Sequence, residues 1–273
     1  NFTQRGEPSL VDKWTKAEMA LANGADLVIE LPTIYSTSSA ENFADGAIKI
    51  LNSLKVVNTI SFGTETDDLN KLNIIANTLY KEPKEYKDVL SEILKKGKSF
   101  PRAREEALVN YLKDKKFANL LSSPNNILGI EYLKALKKHT SKIKPICIKR
   151  KNAGHLTLEY TGEIASATAI RNLIYSNRSK EIKKFLTPPS YTILADEMKK
   201  GHFIHDPSYF ENIMLYNLRN MSLQEIANLP DVSEGLENTI KKAANSCNTI
   251  PEFINIAHSK RYTETRIRRI LLY

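Results

Sequence analysis

Cysteine is scarce: 273 residues contain only Cys147 and Cys247, a hundred positions apart. That spacing excludes a disulfide framework or a cysteine-based zinc cluster, and it fits a reducing compartment such as the cytoplasm. Long apolar runs are missing as well. Nothing approaches the ~18 consecutive apolar residues of a spanning helix, so no membrane partner is expected. Glycine (10) and proline (11) are too few for a fibrous or low-complexity chain, and 41% hydrophobic with 26% charged residues is the composition of a globular protein. A Gly-x-Ser-x-Gly elbow, a Walker loop and a Gly-rich dinucleotide fingerprint are all absent, which counts against serine hydrolases, P-loop enzymes and Rossmann dehydrogenases. Acidic residues are also in deficit, 31 against 40 Lys and Arg, for a net charge of +9. Such a balance favours anionic partners such as nucleotides or RNA. The chain opens on Asn1 without an initiator Met or the regions of a signal peptide, and it closes on Ile270-Leu271-Leu272-Tyr273 inside an uncapped helix-like pattern. Both ends therefore read as cuts through a longer protein.

What is present alternates between strand-like and helix-like segments. Asp12 to Ala22 has helical spacing and stops at Gly24, after which Leu27 to Pro32 is expected to be a short strand. Ala40 to Leu54 carries one apolar face and leads to a second strand at Thr59 to Phe62. Helices are expected from about 68 to 138, one of them starting at Pro124 behind Ser123. Pro145 to Lys149 is a third strand, and Ser166 opens a helix reaching about Tyr175. Strands separated by helices imply an open parallel α/β sheet. Thr187-Pro188-Pro189 marks a boundary, beyond which only helical patterns occur. The expectation is an α/β domain over 1–187 followed by an all-α domain over 188–273. Residues 1–187 hold 30 basic and 21 acidic side chains and residues 188–273 hold 10 of each, so the net charge belongs to the first part. Lys137 to Lys151 has seven basic residues and no acid; it is either a solvated helix end or a strip facing phosphates. Near the end, Lys260, Arg261, Arg266, Arg268 and Arg269 stand against Glu264 alone. That helix is either amphipathic and core-packed or an RNA contact.

The group best suited to chemistry is Ile164 to Arg171, where a loop turns into a helix. The free N–H groups of a helix start attract anions, Ser166 and Thr168 add hydroxyl donors, and Arg171 adds a cation one turn later. In a nucleotidyl transfer such donors would stabilise the charge growing on departing pyrophosphate. Ordinary helix capping by Ser166 is the competing reading. Ligands of open α/β sheets sit beyond the carboxyl ends of strands, which singles out Phe62-Gly63-Thr64-Glu65 and Arg150, with Asn125-Asn126 offering amides at a helix start. Gly201-His202-Phe203-Ile204-His205-Asp206 carries a histidine pair but no second ligand cluster, so no metal site is assigned there.

Several strings resemble one family. Phe2 to Pro8, Asp12-Lys13-Trp14, Gly24 to Pro32, Ser39 to Ala44, Phe62 to Glu65, Pro124 to Gly129, Ile164 to Arg171 and Asp231 to Asn238 are similar, in order and across nearly the whole chain, to the bacterial tRNA(Met) cytidine acetate ligases. The resemblance implies a nucleotidyltransferase fold, Rossmann-like, with a helical region behind it. It also implies an enzyme that uses ATP to activate acetate as acetyl-adenylate and then acetylates the wobble cytidine of elongator methionine tRNA. On that likeness Ser166, Thr168 and Arg171 stand in the second phosphate-binding signature, and Gly63, Asn125 and Arg150 look like ATP contacts. Magnesium is not indicated by the sequence. One departure is serious: the superfamily's His-x-Gly-His motif does not occur, and the resemblance places it ahead of Phe2. A chain without it is expected to catalyse little. Two other readings stay open, a superfamily adenylyltransferase acting on a small metabolite and a non-catalytic RNA-binding relative.

Overall fold

A computed structural model describes residues 2–150, 165–204, 206–259 and 261–273. In chain order the helices are α1 (Lys13–Ala22), α2 (Thr33–Ser36), α3 (Ala40–Ser53), α4 (Leu69–Lys81), α5 (Lys84–Lys95), α6 (Phe100–Leu112), α7 (Pro124–Lys138), α8 (Ala167–Tyr175), α9 (Pro188–Lys199), α10 (Glu211–Asn220), α11 (Leu223–Ala227), α12 (Leu236–Ser246), α13 (Ile250–Ala257) and α14 (Glu264–Ile270). Two strands, β1 (Thr59–Thr64) and β2 (Lys144–Lys149), pair in parallel with Thr59 opposite Lys144 and Thr64 opposite Lys149. The protein is thus mostly helical α/β with a small parallel sheet. By contacts it divides into two compact units, Leu31–Lys151 and Asn1–Glu30 with Asn152–Tyr273.

In the unit Leu31–Lys151 the alternation of β1 buries Ile60, Phe62 and Thr64 and exposes Thr59, Ser61 and Gly63. The buried face meets α7, whose Pro124 fills the first helical position, where its missing N–H costs nothing. Helix α7 packs so tightly on β1 that a Cβ added at Gly129 would stand 2.9 Å from Phe62 Cε2 and 3.0 Å from Thr64 Cγ2. Leu72, Ile75 and Ala76 of α4, Ile48 of α3, and Ala103, Ala107 and Leu108 of α6 complete this core.

The expected strand at Leu27 to Pro32 does not form. Leu27, Val28 and Ile29 are 69%, 43% and 42% exposed, and among the described residues no ladder includes them. An apolar run supplies propensity, but a strand exists only where its backbone groups find a paired neighbour. Among the described residues the sheet therefore has two strands, β1 and β2, rather than the three expected.

The other unit is helical. Asp12 caps α1 by accepting from Thr15 N at 2.7 Å. Val11, Leu173, Ile174, Ile182 and Leu194 form one small core, so α9 packs with residues on the earlier side of Thr187. A larger core joins α10 to α14 through Leu215, Ile226, Ile240, Phe253 and Ile267. Two cations there cap each other's helices: Arg219 Nε of α10 donates to Ala244 O at 2.7 Å, and Lys241 Nζ of α12 donates to Arg219 O at 2.7 Å and Leu218 O at 3.3 Å. Each satisfies carbonyls that a helix end leaves open.

Candidate functional site

Where β1 ends, the chain turns through Gly63-Thr64-Glu65 towards the start of α7. The Glu65 carboxylate accepts from Asn125 N (3.2 Å), Asn125 Nδ2 (2.7 Å) and Asn126 N (2.8 Å). In return, the buried Asn126 Oδ1 accepts from Glu65 N (3.0 Å) and Thr66 N (3.2 Å). Partial burial pushes the Glu65 carboxyl up, but these N–H donors outweigh it and hold the group below its ordinary value. A carboxylate thus answers the N-terminal dipole of α7 from within the protein. Arg150, directly after β2, donates its N–H to Thr64 O at 2.8 Å. Its side chain runs over Gly63, where an added Cβ would lie 3.4 Å from Arg150 Cγ. Gly63 and Arg150 are therefore neighbours on the exposed side of the strand ends, whereas the Asn125 amide faces Glu65. From the sequence Glu65 is visible only as part of a strand-end string, and its clamp on α7 is not. The signal available was an acid placed just after a strand that precedes a Ser-Pro-Asn-Asn helix start.

In the unit holding α8, Ser166 is an N-cap with extended backbone, and its Oγ accepts from Ala169 N at 3.1 Å. The capping reading of Ser166 is realised. Thr168 and Arg171 come together: Arg171 Nη2 donates to Thr168 Oγ1 at 3.3 Å and to Glu7 Oε2 at 3.2 Å. Lys16 on α1 donates through Nζ to the buried Ser9 Oγ. Its ammonium is held below the ordinary lysine value, first by desolvation and then by the charge of Arg171, against the opposing pull of Asp12. Two cations near enough to repel one another, beside a helix start and two hydroxyls, form a surround suited to an anion. Sequence reasoning identified Arg171 and Thr168 but not Glu7 or Lys16.

The remaining cations divide sharply. Arg269 is buried, and its Nε and Nη2 both donate to Asp231 Oδ2 at 3.2 and 3.1 Å. Arg266 donates to Asp231 O at 2.8 Å and Ser233 Oγ at 3.0 Å, with its guanidinium 5.0 Å from the Tyr262 ring. Arg268 pairs with Glu264 at 2.9 Å, and the exposed Arg261 pairs with Glu234. Lys260 lies outside the described residues. In the strip from Lys137, Lys138 and His139 reach Asp45 at 3.0 and 2.7 Å and Lys149 reaches Asp67 at 3.4 Å, leaving Lys142, Lys144 and Arg150 as exposed charges; Lys151 lies outside the described residues. His202 Nδ1 stands 3.2 Å from Glu197, and His205 also lies outside them. Among the described residues no three His, Cys, Asp or Glu side chains converge as metal ligands. No helix among them is long and apolar enough to cross a membrane.

A parallel strand pair covered by helices defines an α/β protein, and the start of α8 separately carries hydroxyl and cationic donors suited to an anion. The model of the HIGH Nucleotidyl Transferase family matches residues 1–273. The tRNA(Met) cytidine acetate ligase of Caldanaerobacter subterraneus subsp. tengcongensis is 50% identical over 276 residues, covering all of this chain and 68% of that relative. That of Acetivibrio thermocellus is 44% identical over 277 residues, again covering the whole chain and 67% of the relative. The crystal structure of apo Thermotoga maritima TmcAL superposes with a TM-score of 0.94 at 37% identity, covering all of this chain and 66% of that one. The same protein bound with alpha-thio ATP gives 0.88 at 36% identity and 64% coverage of its length. The chain belongs to the HIGH nucleotidyl transferases, in the family of tRNA(Met) cytidine acetate ligases. It spans about two thirds of the length of these relatives.

Proposed function

We propose that this chain is the nucleotidyl-transfer part of an ATP-dependent tRNA(Met) cytidine acetate ligase acting in the cytoplasm. In the first step an acetate oxygen attacks the α-phosphorus of ATP, the bond to the bridging oxygen breaks, and pyrophosphate leaves. In the second the exocyclic amine of the wobble cytidine of elongator methionine tRNA attacks the acetyl carbonyl, loses a proton and releases AMP. The observation that carries this reading is 50% identity along the entire chain to a relative bearing that name. It is supported locally by the Thr168–Arg171–Lys16 group, whose donors suit the charge that grows on a leaving pyrophosphate.

Gly63, Asn125 and Arg150 are assigned to ATP, with Gly63 offering an exposed strand-end backbone and Arg150 an exposed side chain lying over it. Ser166 serves mainly as a cap, while Thr168 and Arg171 meet the phosphates. The open parallel nucleotidyltransferase sheet and the division into a catalytic part to residue 187 and a helical part from 188 belong to this reading too. The tRNA surface is assigned to the segment from Lys260 to Arg269, with Arg261 its most open guanidinium in the described residues. The test is acetate-dependent exchange of labelled pyrophosphate into ATP, followed by acetyl transfer to the tRNA, both in the full-length enzyme. Exchange with another small acid but not acetate would favour a metabolite adenylyltransferase. tRNA binding without any exchange would favour a non-catalytic relative.

A further inference from the structure

Arg171 is held by one end of its guanidinium. Nη2 donates to Glu7 Oε2 and Thr168 Oγ1, and among the described residues nothing accepts from Nε or Nη1. A planar guanidinium anchored at one nitrogen keeps its remaining N–H donors in a set direction. Glu7 is itself well placed to do the anchoring. Thr3 N donates to Glu7 O at 2.8 Å, Gly6 N donates to Thr3 O at 3.0 Å, and Glu7 N donates to Thr3 Oγ1 at 3.3 Å, so Glu7 ends a tight turn closed on itself. Gly6 in that turn has φ +81° and lies against α14: a Cβ there would stand 2.6 Å from the Arg268 carbonyl carbon. Only glycine permits both the left-handed backbone and this approach. The turn is thereby wedged on a helix, and its carboxylate is presented to a residue 164 positions away in sequence.

We propose that Glu7 is a positioning residue for Arg171: the Thr3–Glu7 turn, seated on α14, holds the carboxylate at Nη2 and leaves Nε and Nη1 for the leaving pyrophosphate. This rests on the reading of Arg171 as a pyrophosphate contact. Glu7 touches no reactant, so its whole effect passes through the arginine, and that makes it separable from a general structural role. Misdirecting a charged donor at the reacting group slows the step more than it weakens ground-state binding.

The test is a double-mutant cycle in the full-length enzyme, read by acetate-dependent pyrophosphate exchange, with thermal melts on every variant. Glu7→Gln keeps the shape and loses the charge. It is expected to lower kcat about tenfold, while KM for ATP changes little. Glu7→Asp, which keeps the charge, is expected to recover part of that loss. In the Arg171→Ala background Glu7→Gln is expected to cost nothing more. Unchanged kcat in Glu7→Gln, an equal loss in both backgrounds, or a Glu7→Asp enzyme as slow as Glu7→Gln overturns the positioning role. Full exchange by Arg171→Ala alone overturns the underlying reading of that arginine together with this proposal, and it is seen without any Glu7 variant.

Discussion

Two clusters of positive charge look alike in the sequence and differ in the structure. At the start of α8, Arg171 keeps part of its guanidinium open and has Lys16 close enough to lower that ammonium's pKa. Along α14, Arg266 and Arg269 direct their donors at Asp231 and Ser233, closing the loop ahead of α12. In that loop Asp231 and Glu234 adopt left-handed backbone, with φ of 66° and 59°. Such conformations persist only where the surroundings over-determine them, and the two arginines with the Tyr262 hydroxyl, bonded to Ser233 O at 3.2 Å, supply that restraint. A count of arginines therefore says little about ligands. What matters is the hydrogen-bonding capacity each keeps once the fold has taken its share.

The largest expected effect addresses the α14 side of this comparison. Arg269→Ala leaves the Asp231 carboxylate without its bidentate partner in a site where the arginine side chain is only 9% exposed. A loss of about 3 kcal/mol in urea unfolding is expected, the scale for breaking a largely buried pair; a loss below about 0.5 kcal/mol would move Arg269 into the class of surface charges. Ser166→Ala tests the α8 side. The cap bond to Ala169 N predicts a loss of about 1 kcal/mol, with the exchange rate falling much less than in Arg171→Ala. A large rate loss at unchanged stability would return Ser166 to the chemistry.

A third cation set is quieted by a single carboxylate. Asp45 is buried between Lys49, Lys138 and His139. Burial pushes its carboxyl up, but the hydrogen bonds from those three groups prevail and hold it far below the ordinary range. Its folded value lies under the unfolded one, so Asp45 stabilises the fold in full above about pH 4 and loses that contribution as pH falls through the folded value. Asp45→Asn is expected to be less stable than wild type at neutral pH and to close the gap in acid. A gap that widens on acidification would contradict the assignment. The smallest effect belongs to Arg261, exposed and paired only with Glu234. Arg261→Gln is expected to reduce the salt dependence of tRNA binding by about one unit of log–log slope and to leave the exchange rate alone. An unchanged slope would place the RNA surface elsewhere.

Local signals were legible before the structure, and long-range ones were not. Pro124 behind Ser123, the Ser166 cap, the helix following Asp12 and the two strands expected at Thr59 to Phe62 and Pro145 to Lys149, which the fold extends to Thr59–Thr64 and Lys144–Lys149, follow from short-range chemistry that a dozen residues can express. Leu27 to Ile29 have the same apolar pattern as a strand, yet nothing in a local window says whether a ladder partner will be there. The pairing of Arg171 with Glu7, and of Arg269 with Asp231 at a separation of 38 residues, is decided by packing of distant elements. For that reason the Ser166 to Arg171 string is legible in the sequence while its carboxylate anchor is not, and the choice between a packed and an open role for the α14 arginines stays undecided until their partners are seen.

The proposed division of labour gives the start of α8 the nucleotidyl chemistry and gives Arg266 and Arg269 of α14 the fold. Its most direct test is Arg171→Ala in the full-length enzyme, assayed by acetate-dependent pyrophosphate exchange and by urea unfolding on the same preparation. The expected rate is lower by about 10²-fold, the scale for removing a charge-stabilising donor, with the unfolding midpoint close to wild type. Exchange at the wild-type rate by a folded Arg171→Ala enzyme would contradict it.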